Sequence, residues 1–168
     1  NASYADDDSM YLATKEFGLL QTTLANSSEF IEIHPEGPTS NDVFSISVSN
    51  DNLWVVYGGY DSAYTPLDNR FGFGHYHGEN WINTAYNSSF PARNLVHTTI
   101  DPNHANRAYI SSWSDGMLVV EDDVVTTLWN QNNSGLENLD FPPDPTYINL
   151  RINGSAIDNQ GNLWVANA

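Results

Sequence analysis

The segment His75-Tyr76-His77-Gly78-Glu79 is the best candidate in the chain for holding a metal ion. In a strand, positions 75, 77 and 79 project to one face and offer two imidazoles and a carboxylate. Outward polar residues on an ordinary strand make the same pattern, and no fourth ligand is identifiable, so no metal and no cofactor is assigned. Calcium needs several closely spaced oxygens. Asp158-Asn159-Gln160-Gly161-Asn162 and Asp6-Asp7-Asp8 offer them, but neither has the full ligand count or a distal bidentate glutamate. Turn formation accounts for the first and a solvated turn for the second.

Groups for catalysis lack an organising motif. There is no G-x-S-x-G, no H-E-x-x-H and no Walker-type phosphate loop, and Gly72-Phe73-Gly74 lacks the third glycine and following helix of a dinucleotide site. With 21 acidic residues, carboxylates pair on paper anywhere. No catalytic residue is assigned, and the expectation is a chain that is not an enzyme. Tyr60, Tyr64 and Arg70, in one long loop, and Trp113, just before the Asp115-Gly116 turn, are the candidate ligand-binding residues. Such rings and cations stack on a sugar or anchor a protein partner. The competing reading buries Trp113 in the core.

The elements that would position these groups repeat. One phrase recurs as Asp8-Ser9-Met10-Tyr11-Leu12-Ala13, Asp51-Asn52-Leu53-Trp54-Val55-Val56, Asn106-Arg107-Ala108-Tyr109-Ile110-Ser111 and Gly161-Asn162-Leu163-Trp164-Val165-Ala166, with its aromatics 43, 55 and 55 residues apart. That period brackets a four-stranded blade with loop insertions. An alternating apolar strand runs into an Asp or Asn turn before each of the last three copies, which makes a hairpin. The third copy continues through Ser114-Asp115-Gly116 and Glu121-Asp122-Asp123 to Val124-Val125-Thr126-Thr127-Leu128-Trp129, four short strands in succession. No stretch has helical periodicity. The expected class is all-β, a β-propeller fragment of about three four-stranded antiparallel blades, with approximate repeats 1–42, 43–95 and 96–150 and the start of a further blade at 151–168. A β-sandwich is the competing architecture, but it does not require the aromatic to return on a blade-sized period. Two segments, 57–74 and 130–145, depart from the pattern as long loops, the second ending in Phe141-Pro142-Pro143-Asp144-Pro145.

Charge narrows the partners. Five basic residues against 21 acidic ones leave a net charge of −16. Nucleic acid draws its affinity from clustered Lys and Arg, which this chain lacks, so no nucleic-acid partner is expected. The same field repels anionic membranes, and no apolar run reaches spanning length, so no membrane insertion is expected. The absence of cysteine excludes disulfides, thiolate zinc sites and a thiol nucleophile. Beginning at Asn1 without a leader, the chain reads as a mature or excised segment, and its Asn-rich, Lys-poor surface suggests an exported protein.

The phrase D-x-x-G-N-L-W resembles the two-component-regulator propeller repeat of Bacteroidetes. A longer match runs over residues 40–168. It comprises Gly58-Gly59, Gly78-Glu79-Asn80-Trp81, Asp101-Pro102, Tyr109-Ile110-Ser111-Ser112-Trp113-Ser114-Asp115-Gly116-Met117, Leu128-Trp129-Asn130, Asn133-Ser134-Gly135-Leu136 and Ala156-Ile157-Asp158-Asn159-Gln160-Gly161-Asn162-Leu163-Trp164. In that order it is similar to the propeller region of PorZ-like proteins, cell-surface components of the type IX secretion system. The resemblance implies a non-catalytic surface scaffold of two propellers and a C-terminal sandwich, of which this chain covers part of one propeller. It also implies a location at the cell surface or outer membrane, and partners among other secretion-system surface proteins or a glycan such as lipopolysaccharide. The acidity of the chain sits badly with direct capture of an anionic sugar. The alternative is the periplasmic carbohydrate-sensing propeller of a hybrid two-component regulator. Blades without ring closure expose sheet edges, so the fragment is expected to self-associate through them.

Overall fold

Alternating apolar residues and short polar turns leave each segment one way to bury its side chains, as a twisted antiparallel strand beside its sequence neighbour. The computed structural model describes residues 2–4, 8–15, 17–33, 36–104, 106–139, 142–144 and 146–167. Asp6 and Asp7 of the acidic cluster, and Phe141 and Pro145 of the second loop, lie outside them. The chain divides into two units, Asn1–Gly37 and Pro38–Ala168. In the first, β1 (Ala2–Tyr4), β2 (Ser9–Ala13), β3 (Leu19–Thr23) and β4 (Asn26–Ile33) form one antiparallel sheet in chain order.

The second unit holds β5 (Ser45–Ser49), β6 (Asn52–Val56), β7 (Phe73–His77) and β8 (Asn80–Thr84) in one sheet. A second sheet contains β9 (Leu95–Ile100), β10 (Arg107–Ser112), β11 (Met117–Glu121) and β12 (Val124–Trp129), and β13 (Ile152–Ile157) pairs with β14 (Leu163–Asn167) as a hairpin. No helix occurs among the described residues, so none is long and apolar enough to cross a membrane. Tyr11, Trp54, Tyr109 and Trp164 all fall on the second strand of their sheet, so the recurring aromatic marks a recurring structural position. Several of the turns between strands are built by chemistry visible in the sequence. Asn50-Asp51, Gly78-Glu79 and Asp122-Asp123 each carry two successive positive φ angles, the type I′ signature that matches strand twist and favours Asn, Asp and Gly.

The sheets stack face to face within the second unit. One apolar layer joins Trp54, Val56 and Phe73 of the first sheet to Ala108, Ile110, Leu118 and Val120 of the next. The opposite face of that next sheet sends Tyr109, Met117 and Val119 toward Ile152, with Ile157, Leu163 and Val165 packed around them. Successive residues of β10 and β11 therefore enter different layers, as period two demands. β10 and β11 are buried on both faces, which is why Met117-Leu118-Val119-Val120 of β11 reads as a continuous apolar run. Each fully buried Ile, Leu or Val contributes about 1.5–3 kcal/mol of transfer free energy. Trp164, by contrast, is 66% exposed on the outer side of its hairpin.

Two loop boundaries differ from the sequence expectation. The first loop ends at residue 72, because Phe73 and Gly74 pair with Val56 and Val55 as part of β7. The second runs on to residue 151, since the chain crosses from β12 to a new sheet before β13 begins.

Candidate functional site

The aromatic loop residues are placed by a buried amide. Asn94, 1% exposed with φ +49, sits just before β9. Its Oδ1 accepts from the Asn69 amide at 2.9 Å, its Nδ2 donates to Ser114 Oγ at 2.8 Å, and its carbonyl accepts from the Trp113 amide at 2.9 Å. Asn69 in turn donates through Nδ2 to the carbonyls of Tyr57 and Gly58. One side chain thus joins the loop after β6 to the turn after β10. Gly58 makes this approach possible, because a Cβ there would lie 2.2 Å from the Leu95 carbonyl oxygen.

Within the first loop, Tyr60 and Pro66 form an isolated antiparallel bridge, and Asp61 Oδ1 accepts from the amides of Ala63 and Thr65, both at 2.8 Å. Those amides hold the Asp61 carboxyl below the usual carboxylate range. The tight loop turns Tyr60 and Tyr64 toward Trp113 of the neighbouring sheet. Tyr60 lies 4.8 Å from the Trp113 ring and 5.3 Å from the Tyr64 ring, with Phe44 edge-on to Tyr60 at 5.2 Å. Trp113 donates through Nε1 to the Tyr64 carbonyl at 2.9 Å. It is only 7% exposed, whereas Tyr64 is 57% exposed. The Trp113 ring is buried, as the competing reading has it, and it backs the exposed Tyr64.

Arg70 does not join this cluster. It pairs with Asp68 at 3.3 Å and lies 5.7 Å from the centre of the Tyr86 ring, because the backbone after Asp68 turns toward β8. The cation at the aromatic cluster is Arg151, whose guanidinium carbon is 5.5 Å from the Trp113 ring centre. Nothing in the local sequence around Arg151 marks it; the parallel bridge between Asp115 and Leu150 brings it there.

Beside the cluster, Arg93 grips Asp115 through Nη2 at 2.7 Å and Nε at 3.0 Å, and reaches Asp68 through Nη1 at 2.9 Å. Asp115 holds the guanidinium more firmly protonated than an isolated arginine, and Arg93 keeps the Asp68 carboxyl ionised below its ordinary range. A cleft of about 260 Å³ opens here, lined by Thr65, Asp68, Arg93, Tyr147 and Asn149 among others. Arg93, Asn94 and Asp115 were not singled out in the sequence, since their roles depend on contacts between separate sheets.

His75 and His77 do share a face, stacked at 4.6 Å. Glu79 does not complete their set. It occupies the second turn position after β7 at φ +66, where the chain reverses and carries it off the strand face. The carboxylate at the two rings belongs to Asp123, from the β11–β12 turn. Asp158, the calcium candidate, is a turn residue: its carboxylate accepts from the amides of Gln160 and Asn162, from Asn162 Nδ2 and from Trp164 Nε1 at 2.9 Å. These donors drive its pKa far below the ordinary value.

No protein-family model matches the sequence, and no curated protein matches it. Solved structures do. PorZ of Porphyromonas gingivalis, an essential bacterial surface component of the type-IX secretion system, superposes with a TM-score of 0.69 at 20% identity over 97% of this chain. The stacked sheets are blades of a β-propeller. The chain spans 22% of the length of that PorZ chain, and at this identity the likeness speaks for the fold. The extracellular domains of a hybrid two-component system and of a one-component system from B. thetaiotaomicron superpose with TM-scores of 0.38 and 0.45 at 17% and 16% identity. Each alignment covers 99% of this chain, and 18% and 19% of the respective domains. Likenesses that loose carry no structural weight.

Proposed function

We propose that the chain is a binding module without chemistry of its own, part of an exported surface protein that serves a type IX secretion system as PorZ does. The observation that carries this reading is the cluster of Tyr60, Tyr64 and Trp113, assembled from loops of two adjacent blades beside Arg151 and the Arg93 cleft. Loops at one end of a rigid scaffold are the usual place for recognition, and rigid aromatic anchors supply most binding energy. The partner is a surface protein of the machinery or a glycan.

The net charge of −16 favours one variant of this reading over another. An anionic polysaccharide meets an unfavourable field, while a neutral sugar stacking on exposed rings does not. That same observation supports a periplasmic carbohydrate sensor as the second reading. Titration of the chain with neutral and anionic oligosaccharides, and with purified secretion-system surface proteins, read by tryptophan fluorescence, separates the cases. Tyr64→Ala is expected to weaken the productive interaction about 10-fold, equivalent to about 1.4 kcal/mol. Saturable binding of neutral sugars alone selects the sensor. Binding indifferent to Tyr64→Ala and Tyr60→Ala removes the aromatic cluster from the function.

A further inference from the structure

We propose that His75, His77 and Asp123 bind one divalent late first-row transition ion, with zinc as the reference case, linking two neighbouring blades. His75 and His77 come from β7 of one sheet, and Asp123 comes from the β11–β12 turn of the next. One ligand atom from each lies within 4.8 Å of the other two.

The hydrogen bonds of His75 aim its ligand atom at Asp123. Asn52 donates through Nδ2 to the Asn50 carbonyl at 2.8 Å, which leaves its Oδ1 facing His75 Nε2 at 2.8 Å. Nε2 therefore carries a hydrogen. In the neutral ring Nδ1 is then a bare lone pair, and it points at Asp123 Oδ1 only 2.6 Å away. At that separation the two atoms share a proton, which a metal ion would displace while spreading the pair to about 3.3 Å. The second carboxylate oxygen of Asp123 is 3.5 Å from His77 Nε2, so the same carboxylate serves both rings.

The surroundings suit a metal. Ligating histidines commonly donate their other ring N–H to a carbonyl, which fixes the tautomer, and Asn52 does this for His75. Zinc bonds to nitrogen and oxygen at roughly 2.0–2.2 Å, so binding asks the three groups to rearrange modestly. His77, 43% exposed, and Asp123, on a turn, have room to do so. Two imidazoles and one carboxylate favour zinc, copper or nickel over calcium or magnesium. The three groups line a cavity of about 210 Å³ together with Asn106 and Asp122, which leaves space for water. The i, i+2 histidines were legible in the sequence; the third ligand, on another blade, was not.

The test is a calorimetric titration of the metal-stripped chain with Zn²⁺, with tryptophan fluorescence followed in parallel because Trp54 stacks on His75 at 3.9 Å. One ion per chain is expected. His77→Gln and Asp123→Asn should each weaken binding by about 10-fold or more, with the fold checked by circular dichroism. The exposed His77 is the safer variant for folding. Glu79→Gln and His104→Gln should leave the affinity unchanged. Absence of saturable binding overturns the proposal. So does binding that survives both His77→Gln and Asp123→Asn, which would assign the ion to the acidic surface at large.

Discussion

Trp54→Ala lowers the stability of the second unit by about 3–5 kcal/mol, the range for removing a large buried aromatic. Trp54 is 1% exposed and packs at the seam of two blades, against Phe73 at 5.7 Å and flat on His75 at 3.9 Å. Its loss opens a cavity in the layer between the two sheets, which the small neighbours Ala92 and Ala108 cannot fill. A urea titration followed by far-ultraviolet circular dichroism reads the effect as a lower midpoint. Trp54→Phe should cost much less, because the indole N–H has no hydrogen-bond partner among the described residues and its removal forfeits nothing polar. Equal losses for the two variants would mean that the ring's area is not what joins the blades.

Gly116→Ala has the next largest effect, about 3 kcal/mol or more, and it acts on the candidate site. Gly116 has φ +109, and a Cβ there would lie 2.0 Å from the Trp129 carbonyl oxygen. Both the strain and the clash fall on backbone, so neither is relieved by turning a side chain. Gly116 closes the turn that carries Trp113 and Asp115, and its carbonyl accepts from the Ser112 amide at 2.8 Å. The expected readout is a lower unfolding midpoint together with a changed near-ultraviolet signal from Trp113. Gly135→Ala, where an added Cβ meets nothing within 4 Å, serves as the control and should change stability by less than about 0.5 kcal/mol.

These two residues show what was legible in the sequence. Trp54 recurs in phase with Tyr11, Tyr109 and Trp164, and each lies on the second strand of its sheet because period-two alternation and Asp, Asn and Gly turns are local codes. The Ser114-Asp115-Gly116 turn was visible for the same reason. Tyr60, Tyr64 and Trp113 were named together on residue type and do meet in space. The failures have one cause. Arg151, Arg93 and Asp123 act across blade seams, where geometry is set by stacking of sheets distant in the chain, and no local spacing encodes that. Arg70 and Glu79 were chosen for nearness in sequence, and a turn or a nearer partner took each elsewhere.

The claim that the aromatic blade-end surface serves secretion is most directly tested in the source organism, with the gene deleted and then complemented by the intact protein carrying Tyr60→Ala and Tyr64→Ala. The account predicts that deletion stops export of type IX cargo, and that the doubly substituted protein reaches the cell surface at normal abundance yet leaves cargo in the periplasm. Unimpaired secretion from the deletion strain, or full rescue by the substituted protein, would contradict it.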